Sequence, residues 1–202
     1  MTGSGPGSSG YLGRATPYKV HTLWARPLIS AHARGERHHR PQHDSLTGLP
    51  DRALLVERLQ HIVDRGRRES VNYAVMLVDL DDFKAINAHF GNAAGDRVLI
   101  EFAQRVCRLL RPADTVARIG GDEFAILLEQ PGGHAGVWRI AHRLCQQLQP
   151  PFSTQGLTLH CRACAGATLG HLPCYRPDDL LRRADQALSR AKHSGRACFA
   201  VI

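Results

Sequence analysis

No stretch of this chain reaches the eighteen or more consecutive apolar residues that cross a bilayer as a helix, so no membrane span is expected. The opening Met1–Gly13 is glycine and serine without an apolar core, which gives no expectation of a secretory signal. No RNP motif, zinc finger or interleaving of aromatic and basic residues is present, so no nucleic-acid partner is expected. Six cysteines occur, and only Cys161 and Cys164 have C-x-x-C spacing. No second such pair and no closely spaced His pair completes a four-ligand site, so buried free thiols in a reducing compartment, the cytoplasm, are expected rather than zinc. Acids are scarce over residues 1–42, where Glu36 faces six Lys and Arg, so most of the chain's net charge of +8 sits there. That excess reads as a solubilising tail before it reads as an anion grip.

What is present is ordinary for a globular protein. Apolar residues make up 43% and charged residues 22%, which is inconsistent with disorder throughout. The 202 residues suffice for one domain and a tail. Residues 1–42, rich in Gly, Pro, Ser, Arg and His, are expected to be a disordered basic tail or linker, and residues 43–202 the domain. Leu54, Leu55, Leu59, Ile62 and Val63 recur at helical spacing after Pro50 and Asp51. Tyr73–Leu80 is a continuous apolar run ending in acids, a strand buried on both faces. Helices are expected over 94–110, 135–148 and 177–193. Strands are expected over 115–118 and 124–129, joined by a Gly120-Gly121 hairpin turn, over 157–169 and over 197–201. This αβαββαβαβ order predicts a mixed α/β (α+β) domain, a central sheet with helices against it.

The chemistry concentrates where strands end. Asp79 closes the buried strand, and Asp122 and Glu123 follow the two glycines. If the hairpin lies beside strand 73–80, these carboxylates converge. Such a cluster suits Mg²⁺, which takes few protein oxygens and completes its shell with water and phosphates. Glycine lets a backbone approach a ligand closely or take positive φ. An ordinary hairpin turn with solvated acids would look the same. Lys84, Lys192 and Arg196 are cations that could hold phosphates, although Lys192 and Arg196 also suit a helix C-terminus capped by Gly195.

Together, Asp44-Ser-Leu-Thr-Gly-Leu-Pro-Asp-Arg52, Asp79-Leu-Asp-Asp-Phe-Lys-Ala-Ile-Asn87, Gly95-Asp96, Arg118-Ile-Gly-Gly-Asp-Glu-Phe124 and Ala184-Asp-Gln-Ala-Leu188 with Ala191-Lys-His-Ser-Gly-Arg196 resemble the GGDEF family of diguanylate cyclases over residues 44–202. The resemblance implies a fold like the palm of nucleotide cyclases and polymerases. It implies condensation of two GTP into cyclic di-GMP, with release of two pyrophosphates, by a homodimer whose two half-sites face each other. It implies Mg²⁺, or Mn²⁺, on Asp79, the Leu80 carbonyl, Asp122 and Glu123. Asp122 or Glu123 would help deprotonate the attacking hydroxyl. Gly120 and Gly121 would lie against the nucleotide, Asn87 and Asp96 would read guanine, and Lys84, Lys192 and Arg196 would hold phosphates.

Arg111-Pro-Ala-Asp114 resembles the family's R-x-x-D product-inhibition site, to which Arg143 or Arg139 could add a further arginine. The same residues could simply end a helix at Arg111 and Pro112. Four positions depart from the family pattern: Ala88 stands for Asp, Gly91-Asn92 for Gly-His, Asp51 for Asn, and Cys164-Ala-Gly166 for Ser-x-Gly. Asn92 can still hydrogen-bond substrate but cannot carry charge. A catalytically weak domain that senses GTP or cyclic di-GMP is therefore the competing expectation, and an upstream sensor protein is a possible partner.

Overall fold

The computed structural model describes residues 42–66, 68–69, 72–154, 156–170, 176–194 and 199–202. Arg196 and, Gln42 apart, the expected tail fall outside the described residues. The element order is α1 (Arg52–Gly66), β1 (Tyr73–Leu80), α2 (Phe83–Phe90), α3 (Asn92–Leu109), β2 (Thr115–Arg118), β3 (Glu123–Glu129), α4 (Gly133–Gln147), β4 (Phe152–Thr154), β5 (Leu157–Leu159), β6 (Ala163–Gly170), α5 (Pro177–His193) and β7 (Phe199–Val201).

Five strands form the central sheet in the order β2-β3-β1-β6-β7, and only the β6–β7 pair is parallel. The β1 run is central, and its alternate side chains enter two cores. Ala74, Met76, Val78 and Leu80 pack with α2, α3 and α4. Tyr73, Val75 and Leu77 pack with α1 and α5. The sheet is thus sandwiched between two helical layers, as the element order predicts.

Three features differ from the sequence reading. Helix α2 is additional; it is two turns long and opens on Asp82 at φ 57°, too short for its periodicity to stand out. The single strand expected over 157–169 divides. Leu157–Leu159 pairs with β4 in a separate two-stranded sheet, and β6 starts at Ala163. The apolar run carries no mark of that division, because the partner strand, not the run itself, decides where pairing begins. Finally, of the cysteines expected to be buried free thiols, Cys161 is buried and free, Cys164 is free and partly buried, Cys107 is free but exposed, and Cys145 is disulfide-bonded.

One glycine sets how closely the α5 layer approaches. A Cβ on Gly166 would lie 1.9 Å from the Leu188 nitrogen and 2.5 Å from the Ala184 oxygen. Backbone meets backbone there, and no side chain fits between. This contact holds the C-terminal half of α5 over β6 and brings Lys192 to the end of the sheet. Among the described residues no helix is long and apolar enough to cross a membrane.

Candidate functional site

Strand register assembles the acids. Asp79 lies opposite Glu123 on one side and opposite Cys164 on the other. The three therefore form a row across β3, β1 and β6 on the α1/α5 face of the sheet. The Leu80 amide donates to the Asp122 carbonyl at 3.3 Å, which ties the hairpin turn to the end of β1. Lys192 closes the row from α5, its Nζ 2.7 Å from Asp79 Oδ1. Asp79 and Glu123 are thus neighbours across the strands, and Asp122 is tied to the end of β1 through its carbonyl. Lys192, expected on phosphates, is paired with the first of them.

The electrostatics follow from burial. Desolvation pushes the Asp79 carboxyl above its ordinary value, with the Asp122 and Asp81 charges adding to it against Lys192. Glu123 is raised by burial and then by Asp79 and Asp122. Asp81 is raised by burial even though the Cys164 thiol donates to its Oδ2 at 3.5 Å. Lys192 is raised despite its burial, because Asp79 accepts its hydrogen bond. The cluster is therefore short of positive charge. Its donors are all hard carboxylate and carbonyl oxygens, and a divalent cation suits them. Among the described residues no three His, Cys, Asp or Glu side chains close on one point. Asp81 and Asp185 join this field, although the sequence reading gave neither a role. Their signal was their place inside the Asp79–Asn87 and Ala184–Leu188 motifs.

The two glycines do not serve the turn's own conformation. Neither Gly120 nor Gly121 has positive φ, contrary to one of the two reasons expected for them. A Cβ on Gly120 would meet Glu123 Oε2 at 3.1 Å, and one on Gly121 would meet nothing within 4 Å. Gly120 thus leaves room for the Glu123 side chain, and Gly121 leaves its side of the turn open. Beside it lies a cavity of about 650 Å³, lined by Asp44, Asp51, Arg52, Arg118, Gly120 and Gly121 among others.

Asn87 and Asp96 come from the α2–α3 pair, which starts two residues beyond β1 and so stands at the same end of the sheet. The Asn87 Oδ1 is buried without a hydrogen-bond partner. A Cβ on Gly95 would lie 1.9 Å from that oxygen, so Gly95 makes the room it occupies. An orphaned acceptor of this kind is costly unless a ligand donor reaches it. Lys84, Asn92 and Asp96 are exposed. The departure at Asp51 is accounted for: its Oδ1 accepts from the Leu54 amide at 2.9 Å and caps α1, as Asn would.

The C-x-x-C pair makes no metal or redox unit. Cys161 packs in the α2/α3/α4 core and Cys164 against the α1/α5 core, so the thiols fall on opposite faces of the sheet. Burial and then the neighbouring acids push both thiols up to about 12.

In the R-x-x-D segment the Asp114 carboxylate is already engaged. It accepts from the Arg111 amide at 3.0 Å and the Glu129 amide at 3.1 Å, which shapes the turn before β2. The Arg111 side chain is exposed, as is Arg143 on α4. Pro112 and Ala113 border a cavity of about 880 Å³ that also bears Arg58, His61, Arg65 and Arg68. Asp64, Glu69 and Glu129 line the same cavity, and Arg65 is paired with Glu129, so its arginines are balanced by acids.

Comparison with known proteins agrees with this geometry. The family model described as "Diguanylate cyclase, GGDEF domain" matches residues 41–198. The diguanylate cyclase TpbB of Pseudomonas aeruginosa is 39% identical over 159 residues, covering 78% of this chain and 37% of that protein. An uncharacterized protein of Mycobacterium bovis is 36% identical over 183 residues, covering 91% of this chain and 29% of the relative. The chain thus spans well under half the length of these relatives. A solved fragment comprising only the GGDEF domain of the Pseudomonas aeruginosa TpbB superposes with a TM-score of 0.75 at 38% identity, covering 79% of this chain and 93% of that one.

Proposed function

This chain belongs to the GGDEF family of diguanylate cyclases, and from that premise we propose that it condenses two GTP molecules into cyclic di-GMP, as a homodimer, with release of two pyrophosphates. The observation that carries the reading is the register that sets Asp79 opposite Glu123, with Asp122 tied to Leu80 beside a glycine turn that borders a cavity.

The residues divide the work as follows. Asp79, the Leu80 carbonyl, Asp122 and Glu123 would hold a divalent cation, Mg²⁺ or Mn²⁺. When bound, it neutralises phosphate charge and lowers the pKa of the attacking hydroxyl. Asp122 or Glu123 accepts the proton of the 3′-hydroxyl. Gly120 and Gly121 let the nucleotide lie against the turn. Asn87 and Asp96 read the guanine edge, and the unpartnered Asn87 Oδ1 takes a donor from it. Lys84, Lys192, Arg196 and the exposed Asn92 would contact substrate. Arg111 and Asp114, with Arg143, bind the product and arrest turnover. The GTP supply places the reaction in the cytoplasm, with an upstream sensor bringing two copies together and residues 1–42 serving as the linker.

The test incubates the 202-residue chain with GTP and Mg²⁺ at several protein concentrations and separates the nucleotides. Cyclic di-GMP forming with more than first-order dependence on protein, and lost in Asp122→Ala, supports the reading. Nucleotide binding without product at any concentration refutes it and leaves a sensor of GTP or cyclic di-GMP.

A further inference from the structure

Arg162 carries the β1–β6 ladder one step past its last strand pair. Leu80 lies opposite Ala163, and beyond them the Asp81 amide donates to the Arg162 carbonyl at 2.8 Å. Cys161 and Ala163, on either side of Arg162, both enter the α2/α3/α4 core. Arg162 therefore falls on the opposite face of the sheet, with Cys164 and Asp79. That face holds the acid row, and Arg162 stands just past its β6 end, away from Glu123 on β3. Helix α2 starts two residues after Asp81 and carries the exposed Lys84 in its first turn.

The guanidinium is uncommitted. Arg162 is exposed, and among the described residues its side chain makes no hydrogen bond or ion pair. Asp81, its neighbour in the ladder, accepts from the Cys164 thiol at 3.5 Å instead. The Arg162 charge acts on that carboxyl only through space. Lys192, by contrast, is held on Asp79 at 2.7 Å. An arginine that served only to neutralise the acids would pair with one of them. This one is left free at the edge of a cluster that would otherwise repel an anion. Its planar fork matches two oxygens of a phosphate.

We propose that Arg162 is a further substrate-binding residue, and that its guanidinium takes the phosphate chain of the nucleotide bound beside the acid row. The proposal rests on the cyclase reading, which supplies the nucleotide. It adds a contact from β6 to those expected of Lys84 and α5, so the phosphates are held from a third element.

The test titrates the full chain by calorimetry, with Mg²⁺ present, using two probes. One is the α,β-methylene analogue of GTP, which cannot lose pyrophosphate; the other is GMP. Arg162→Ala should weaken the analogue about tenfold or more and GMP less than about twofold, with an unchanged thermal midpoint. Arg162→Lys should recover part of the loss, because it keeps the charge but not the fork. With GTP, KM should rise about as much as the Kd of the analogue while kcat stays within about threefold, the signature of a lost binding contact. If wild type binds the analogue and Arg162→Ala binds it equally well, the proposal is overturned and the cyclase reading stands. An equal loss on GMP also overturns it, because the effect then does not follow the length of the phosphate chain. A wild-type chain that binds neither probe overturns the cyclase reading and the role of Arg162 together.

Discussion

Replacing Lys192 with methionine keeps the aliphatic stem and removes the one cation paired with the acid row. A fully buried pair that loses one partner costs about 3–5 kcal/mol, whereas an exposed pair is worth about 0–1 kcal/mol. The side chains of Lys192 and Asp79 are 23% and 17% exposed, between those limits. Discounted for solvent screening, the cost at neutral pH is about 1–3 kcal/mol. The pH dependence carries the argument. The carboxyls of Asp79, Asp81 and Glu123 are raised above their ordinary values of 3.8, 3.8 and 4.5. Their favourable contribution is complete below those values and is lost as pH rises through the raised ones. Removing Lys192 raises them further, so its cost must be greatest above the raised values and shrink toward pH 4, where all three carboxyls hold protons more often in both states. Urea unfolding of wild type and Lys192→Met at pH 7.5 and pH 4 measures this. Millimolar Mg²⁺ or Mn²⁺ at pH 7.5 should recover part of the loss by supplying the missing charge. A penalty equal at both pH values would refute the electrostatic account and assign Lys192 a packing role.

Gly95→Ala drives a methyl into the Asn87 amide, which can swing aside; stability should fall by no more than about 1–2 kcal/mol, while KM for GTP rises and discrimination against ATP weakens in paired kinetic runs. Gly166→Ala has no such escape, because its Cβ meets the backbone of α5. It should cost about 3 kcal/mol or more, read as a lowered thermal midpoint or loss of soluble protein, and a wild-type midpoint would refute the close-approach account. Arg111→Ala should raise the concentration of cyclic di-GMP needed for half-inhibition by about tenfold or more without changing the initial rate. An unchanged inhibition curve would remove Arg111 from the product site.

The sequence by itself determined the local elements and the chemistry available to them. The apolar run of Tyr73–Leu80, the helical stripe of α1 and the glycine turn before β3 encode their own conformation through side-chain period and backbone sterics, so they are legible without a partner. The five motifs likewise carried the family. Tertiary structure alone decided what those residues meet. Register put Glu123, Asp79 and Cys164 in one row, and a shift of one residue would have sent each to the opposite face. The close approach at Gly166 set Lys192 on Asp79, although in sequence it read as a helix C-terminal cation. The two cysteines of one short motif went to different cores because the sheet runs between them. Arg118 found Asp44 across two elements that no periodicity connects. Pairings of this kind are fixed by strand order and layer packing, which bring together residues remote in sequence, and a local pattern has no means of recording them.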